Sequence, residues 1–256
     1  MSTLIQRFGI GAAEVDLKLP STEVYPGEVV EATIEVDGGS AKQEIEGFDI
    51  EMRVQVDYEH EHKIRHEPIA EMYVGGRLAI YPGKQKTKTV ELQIPYGTPL
   101  ASERTSVWLD TSLDIDWALD PSDRDTLEVI PSTRQEVLFG AFEIPGYEHV
   151  GSASRLTTSN AFDWGCIQRL DFRPPADEEV YFETLGVIWR MTDEKVDLIF
   201  KPDGERLLWS LIKGFQGEVT LQEFKGIDAS LTTLTYEYDD PEKLAAELAV
   251  SIEREL

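Results

Sequence analysis

Hydrophobic and polar residues alternate clearly along the stretch from 107 to 115, near the middle of the chain. One face of this stretch carries Val107, Leu109, Thr111, Leu113 and Ile115. The opposite face carries Trp108, Asp110, Ser112, Asp114 and Asp116. A period of two is typical of a half-buried strand. We therefore predict a strand over 107–115 with one core face and one unusually acidic face.

An acidic segment follows this strand. Residues 117–125 contain an Asp-Pro step and further aspartates, a composition that predicts a turn. Leu127 and Val129 then alternate with Glu128 and Ile130, and Pro131 ends the segment. The pattern predicts two strands that flank an acidic turn.

The same alternation recurs through the first half of the chain. It predicts further strands over 15–19, 30–36, 45–58 and 90–94. Pro and Gly stand in type II order at 25–28 and at 81–84, and Asp37-Gly38-Gly39 is typical of a hairpin. No helical period intervenes. The first half is therefore predicted to be an antiparallel β-sandwich.

The strand pattern begins again after Pro131. It predicts strands over 137–141, 166–172, 180–182, 187–189, 196–200, 207–212, 219–224 and 231–238. A polar loop is predicted over 151–160 and a hairpin turn at 201–204. The second half is therefore predicted to be another all-β unit.

The period changes at the C-terminal end. Asp240 is suited to cap a helix, and Pro241 suits its first position. An apolar stripe follows, formed by Leu244, Leu248, Ile252 and Leu256. This spacing predicts an amphipathic helix over 241–256. Its stripe must be covered, and we expect it to dock on the second unit, with pairing to another chain in a homodimer as the alternative.

Charge changes the picture of possible partners. The chain has 49 acidic against 24 basic residues and a formal net charge of −25, spread along its length. Such a field repels nucleic acid and anionic membrane surfaces, so neither is an expected partner. The hydrophobic content of 41% is sufficient for a globular core. Dispersed acid of this density is typical of proteins from a cytosol with very high salt, and an acidic mesophile protein is the alternative.

Cys166 is the one cysteine of the chain, which rules out an internal disulfide and favours a reducing compartment. No secretory signal and no apolar stretch of about 20 residues is present. We therefore expect a cytoplasmic protein without a membrane span. No histidine partner accompanies Cys166 in sequence, so a buried structural thiol is expected.

Two segments resemble the sporulation-control SpoOM family, whose fold is like that of arrestins. The first runs from Gly9-Ile10-Gly11 through Tyr25-Pro26-Gly27-Glu28 to Asp37-Gly38-Gly39. The second, more specific, contains Leu113-Asp114-Ile115-Asp116, Ala118, Asp120-Pro121, Asp123 and Asp125. The likeness covers the first half well, from about residue 8 to 131, and the second half loosely.

This resemblance implies an all-β fold of two tandem arrestin-like (immunoglobulin-like) β-sandwich domains, to which the residue pattern adds a short C-terminal α-helix. The domain boundaries would then be 1–131, 132–240 and, for the terminal helix, 241–256. It also implies a non-enzymatic regulatory or scaffold protein that binds cytosolic proteins. Neither a catalytic centre nor a cofactor is expected.

Three histidines offer the alternative of a metal site. His60 and His62 would point the same way from a strand, and His66 follows closely. A metal sensor or a metal-dependent enzyme could use this cluster. The neighbourhood is polar throughout, however, and offers no buried groups to orient the imidazoles. We therefore expect a solvated hairpin tip and no structural metal.

The aspartates near the domain boundary suggest a polar cluster between domains. Asp110, Asp114, Asp116 and Asp120 would form it, with Arg124 and Arg134 as the nearest cationic partners of Asp114 and Asp116. A calcium site and ordinary surface acid are the alternatives; the EF-hand glycine and distal glutamate are missing. A ligand-binding sandwich using Trp164 or Trp189 is a third possibility for function.

Overall fold

A computed structural model describes residues 12–58, 63–115, 122–156, 166–176, 182–203, 232–237 and 240–253. Within these ranges the chain forms thirteen strands and two helices. The predicted all-β class with a short C-terminal helix is confirmed. One further helix, which the sequence pattern did not predict, directly follows the first half.

The first half contributes eight strands. They are β1 (Glu14–Lys18), β2 (Glu23–Val24), β3 (Val29–Asp37), β4 (Gln43–Tyr58), β5 (Lys63–Ile80), β6 (Gln85–Gln93), β7 (Thr105–Asp114) and β8 (Ser122–Val129). The described part of the second half contains α1 (Thr133–Glu143), β9 (Glu148–Leu156), β10 (Cys166–Arg173), β11 (Leu185–Met191), β12 (Val196–Pro202), β13 (Thr232–Tyr236) and α2 (Pro241–Glu253).

The strands of the first half form two sheets. One contains three strands in the order β1-β3-β6, and the other contains five in the order β2-β8-β7-β4-β5. All neighbours pair antiparallel except β2 and β8, which are parallel. Alternate apolar side chains of both sheets are buried in one shared core. The predicted strands at 15–19, 30–36, 45–58, 90–94 and 107–115 are confirmed.

Both predicted Pro-Gly turns are present. Gly27 has φ 88° and Gly83 has φ 64°, the left-handed conformation that a type II turn requires at its third position. The turns close through hydrogen bonds from the Glu28 N–H to the Tyr25 carbonyl and from the Lys84 N–H to the Tyr81 carbonyl.

The expected hairpin at Asp37-Gly38-Gly39 was wrong. The chain leaves the three-stranded sheet at Asp37 and enters the other sheet as β4, so β3 and β4 do not pair. Gly38 instead donates to the carbonyl of Lys84, at 2.8 Å, beside the end of β6. Strand β5, which pairs with β4 along its length, had not been predicted. It is an edge strand with few buried positions, so its alternation is weak.

The acidic turn after β7 is shorter than expected. Strand β8 begins at Ser122, so Asp123, Arg124 and Asp125 lie within a strand that pairs with β7. Residues 116–121 lie outside the described ranges. Leu127 and Val129 are buried, as the alternation predicted.

The predicted strand at 137–141 was wrong, because this segment belongs to helix α1. Its buried apolar residues are Val137, Leu138, Ala141 and Phe142, which follow helical spacing. At the helix start, the side-chain oxygen of Gln135 accepts a hydrogen bond from the Ser132 N–H at 2.9 Å. The predicted loop at 151–160 was also wrong over 151–156, which belongs to β9.

The described strands of the second half form one sheet in the order β13-β12-β11-β10-β9, all antiparallel. The strands predicted at 166–172, 187–189 and 196–200 are confirmed, and the last is confirmed over 232–236. Those predicted at 207–212 and 219–224 lie outside the described residues, as does most of 180–182.

Helix α2 confirms the prediction for the C-terminal end. The Asp240 carboxylate accepts the N–H groups of Glu242 and Lys243, each at 3.1 Å. Leu244, Leu248 and Ile252 are buried, and the helix packs against α1 and β13. Leu256 lies outside the described residues. Neither of the two described helices has the length and apolar character that crossing a membrane requires.

Candidate functional site

Strand β7 lies at the centre of the candidate site. Its core-facing residues point into the sandwich, and the alternate residues point away from it. We call the outward surface of strands β5, β4, β7 and β8 the outer face. It includes Trp108, Asp110, Ser112 and Asp114 of β7, Asp49, Glu51 and Arg53 of β4, His66, Glu71 and Tyr73 of β5, and Arg124 of β8.

Trp108 is buried on the outer face although it lies outside the hydrophobic core. Only 7% of its surface is exposed. The guanidinium of Arg124 lies over the indole, 4.8 Å from the ring centroid. The ring of His66 lies 6.4 Å away and tilted. A cation above an aromatic face is attracted by the ring quadrupole, so Arg124 both covers and stabilises the indole.

Asp110 holds this arrangement together. Arg124 donates to both of its carboxylate oxygens, from Nε at 2.7 Å and from Nη2 at 3.1 Å. The indole N–H of Trp108 donates to the same carboxylate at 2.9 Å. Arg53 lies 3.8 Å from it and is itself paired with Glu51 at 2.5 Å. Bidentate, charge-assisted bonds of this kind fix orientation as well as charge.

Tyr73 forms the neighbouring part of the outer face. Its ring lies across Gly47, where an added Cβ would come within 2.4 Å of the phenol oxygen. The hydroxyl donates to Asp114 at 3.3 Å. Tyr73 still exposes 55% of its surface, and Ile64 further along β5 exposes 62%. The outer face thus combines fixed charges with exposed apolar area.

For two aspartates of the predicted polar cluster between domains, the described partners lie within the first half. Arg124 binds Asp110, and the hydroxyl that reaches Asp114 belongs to Tyr73, so both partners lie on the same sheet. Arg134 instead donates to the carbonyls of Thr192 and Asp193 in the second half, at 2.7 and 2.5 Å. The register of β7 and β8, which the sequence does not reveal, brings Arg124 opposite Asp110. Asp116 and Asp120 lie outside the described residues.

The two halves meet at a different place. The side-chain amide of Gln168 on β10 donates to the carbonyl of Leu100 and accepts its N–H, each at 2.9 Å. Thr105 donates to the hydroxyl of Ser154 at 2.9 Å, and both side chains are buried. Buried apolar residues from both halves belong to one continuous cluster. Sequence reasoning missed Gln168, although it stands at a core-facing position of an apolar strand.

Cys166 lines this junction. It is buried and lies with Thr98, Gln168 and Trp189 around a small cavity. Burial raises the pKa of the Cys166 thiol to about 12. A thiol that stays protonated is a poor nucleophile, so the prediction of a buried structural cysteine is confirmed. Trp189 is buried too and offers no exposed ligand platform; Trp164 lies outside the described residues.

A metal site finds no support in the described part of the chain. There, no group of three or more His, Cys, Asp or Glu side chains is arranged to hold a metal ion. His66 is exposed and faces Trp108. His60 and His62 lie outside the described residues.

Asp123 and Asp125 of β8 stand at core-facing positions near the edge of the sandwich. Asp123 accepts the N–H of Leu17 at 3.0 Å and so joins β8 to β1 of the other sheet. One oxygen of Asp125 is buried without a hydrogen-bond partner. Burial raises the pKa of Asp125 to about 7, and the charges of Asp123 and Asp16 add to the effect.

Comparison with known proteins then settles the family. The family model described as SpoOM protein matches residues 1–206. The chain belongs to the SpoOM family. The sporulation-control protein spo0M of Bacillus subtilis (strain 168) is 29% identical over 202 residues, which cover 78% of this chain and 74% of that relative.

A solved SpoOM structure shows the same fold. The crystal structure of Spo0M, the sporulation control protein from Bacillus subtilis, superimposes with a TM-score of 0.79 at 23% sequence identity. The match covers 96% of this chain and all of that one, 100%. The mostly β architecture, with two helices among the described residues, is therefore that of a SpoOM protein.

Proposed function

We propose that the protein is a non-enzymatic, cytoplasmic regulatory protein that acts by binding other proteins through the outer face. The relative named a sporulation-control protein supports a regulatory role. The observation that carries the proposal is the arrangement around Asp110, where Arg124, Trp108 and Arg53 are held in place beside exposed Tyr73.

Two physical features of the outer face suit protein recognition. Arginine and aromatic side chains contribute most of the binding energy in typical protein interfaces. Here Arg124 is fixed by two hydrogen bonds yet 61% of its side chain is exposed, so binding would order it little further. Tyr73 and Ile64 add exposed apolar area, and both lie on β5 at the border of the outer face.

The proposed domain organisation follows the sheets. We infer an arrestin-like sandwich over 1–131, a second unit over 132–240 and the terminal helix over 241–256. The change from two facing sheets to a single described sheet between β8 and β9 supports this division. Adaptation to high salt is part of the same proposal and rests on the net charge of −25.

Cross-linking in cells tests the proposed function. Tagged wild-type protein and the Tyr73→Ala variant are expressed in the native host and cross-linked, and the captured proteins are quantified by mass spectrometry. We expect at least one protein to be enriched with wild type and reduced severalfold with Tyr73→Ala, because the variant removes the exposed ring.

The matched control is Val250→Ala, which trims an exposed apolar side chain on α2 of the second half. It should capture the same proteins as wild type. Equal capture by wild type and Tyr73→Ala would contradict the outer face as the binding surface. A failure to enrich any protein at native salt would contradict protein binding itself.

A further inference from the structure

Three lysines stand out on this acidic surface, at positions 84, 86 and 88. Most other described cations with printed contacts are paired with acid: Lys18 with Asp16, Lys42 with Glu44, Arg77 with Glu46, Arg124 with Asp110 and Lys195 with Asp197. Lys84 and Lys86 are exposed, and neither forms an ion pair with any described residue. Lys88 binds a backbone carbonyl instead of a carboxylate.

The lysines lie along an open sheet edge. Strand β6 is the last strand of the three-stranded sheet, and within the described chain only β3 pairs with it. Lys86 lies opposite Val36 of β3, and Lys88 lies opposite Ile34. Because Val36 and Ile34 point into the core, the two lysines lie on the same, core-facing side of the sheet, at the open edge of the sandwich. The acidic residues Glu35 and Asp37 pair with Thr87 and Gln85 and belong to the other face.

The edge of β5 borders the same opening. Lys88 donates to the carbonyl of Gly75 at 2.7 Å and lies 5.8 Å from the ring centroid of Phe48. A Cβ at Gly76 would stand 3.2 Å from the Lys88 ammonium. Lys88 therefore connects the two sheets at this border and is held in place, while Lys84 and Lys86 remain available.

We propose that the edge of β6 is a docking site for an extended, acidic segment of a partner protein, which adds to the sheet as a further strand. An edge strand presents unpaired N–H and C=O groups that an extended peptide can satisfy. Side chains on one face of a strand repeat every second residue, about 7 Å apart. Carboxylates at every second position of the added strand would therefore match the lysine spacing.

The overall charge of the chain does not prevent this contact. Charges separated by more than about 10 Å are largely screened at an ionic strength of 0.1 M. Lys86 and Lys88 lie on β6 itself and Lys84 directly precedes it, whereas Glu35 and Asp37 belong to the other face, so the charge at this part of the edge favours an acidic segment. Long phosphate backbones extend beyond the lysines into the acidic surroundings, which favours a short peptide segment as the occupant.

The proposal goes beyond the proposed function, because it places an acidic partner segment at a surface different from the outer face. The probe is a capped, fluorescent peptide, Gly-Thr-Glu-Val-Glu-Thr-Glu-Val-Glu-Thr-Gly, and its matched version with Gln in place of every Glu. Binding to the full-length chain is measured by fluorescence anisotropy. We expect the Glu peptide to bind at least tenfold more tightly than the Gln peptide.

The double variant Lys84→Glu/Lys86→Glu should weaken binding of the Glu peptide at least tenfold, and Lys84→Arg/Lys86→Arg should retain it. Arg173→Glu on β10 is the control, since it reverses one exposed charge in the second half. Amide hydrogen exchange should show new protection along β6 in the complex. Equal affinities for the Glu and Gln peptides, or no protection along β6, would overturn the proposal.

The oligomeric state provides a second test of what occupies the edge of β6. Sedimentation of wild type and the double variant shows whether a second copy already occupies the edge. A dimer that the double variant abolishes would overturn the assignment of a partner segment. Capture of cellular proteins that depends on Tyr73 but not on Lys84 and Lys86, with no peptide binding, would reject this inference and leave the proposed function standing.

Discussion

Gln168 and Leu100 form a closed pair of hydrogen bonds across the junction of the two halves. The Gln168 amide donates to the Leu100 carbonyl and accepts its N–H, both at 2.9 Å, and both residues are buried. A glutamine side chain here replaces the strand partner that the backbone of Leu100 lacks. A strand of the second half therefore provides hydrogen-bond partners for the backbone of a loop in the first half.

The Gln168→Ala variant should lower the free energy of unfolding by about 2–6 kcal/mol. The substitution leaves a buried N–H and a buried carbonyl without partners, and each such group typically costs about 1–3 kcal/mol. Urea unfolding measures the change. Gln85→Ala, at an exposed position of β6, is the control and should shift stability by less than about 0.5 kcal/mol. An equally small effect for Gln168→Ala would show that water replaces the contact.

The second prediction concerns the cover over Trp108. Arg124→Ala should lower stability by about 1 kcal/mol, because it removes an exposed ion pair and a cation–π contact together. It should also make one tryptophan more accessible to acrylamide. Arg124→Lys should keep part of the charge attraction but lose the bidentate geometry, and so fall between wild type and Arg124→Ala. Unchanged quenching in Arg124→Ala would mean that other groups cover the indole.

Much of the first half could be predicted because its strands each have one buried face. The alternation of β3, β4 and β7 is a local property, and every predicted core position of 107–115 is buried. Strand β5 has few buried positions and was missed. The partners of Asp110 could not be predicted from the sequence either, since they depend on which residue of β8 lies opposite each residue of β7.

Helix α1 shows a different limit. Val137 and Ala141 lie four residues apart, which fits one face of a strand and also one face of a helix. Leu138 and Phe142 distinguish the two cases, because both are buried and also lie four residues apart. A strand would place them on the face opposite Val137 and Ala141, whereas a helix places all four on one face. The sequence also shows Gln168 as a polar residue in a predicted core strand. It does not reveal the partner, which lies in a loop 68 positions away.

The third prediction concerns salt. A net charge of −25 destabilises the compact state through self-repulsion in dilute buffer, and added salt screens that repulsion. The melting temperature should therefore rise as KCl increases toward molar concentration. Choline chloride at equal ionic strength is the control, and it should give a similar rise if screening is the cause. A melting temperature that stays constant would contradict adaptation to high salt.

The last prediction concerns Asp125, whose pKa is raised from 3.8 to about 7 in the fold, first by burial and then by the charge of Asp123. Between these two values the folded chain keeps a proton that the unfolded chain has released. The free energy of unfolding must therefore fall as the pH rises through this window, and the loss is complete above about pH 7. The relevant charged neighbours are Asp16 and Lys18 on β1 and Asp123 on β8.

Asp125→Asn tests this directly, because an amide resembles the protonated acid and does not ionise. Urea unfolding of wild type and variant at pH values from about 5 to 8 gives the difference in stability. The free energy of unfolding of the variant, relative to that of wild type, should increase steadily as the pH rises across that range. Asp193→Asn, at an exposed position of the second half, is the control for the removal of one carboxylate. A constant difference between Asp125→Asn and wild type would show that Asp125 is already ionised in the folded chain at pH 5.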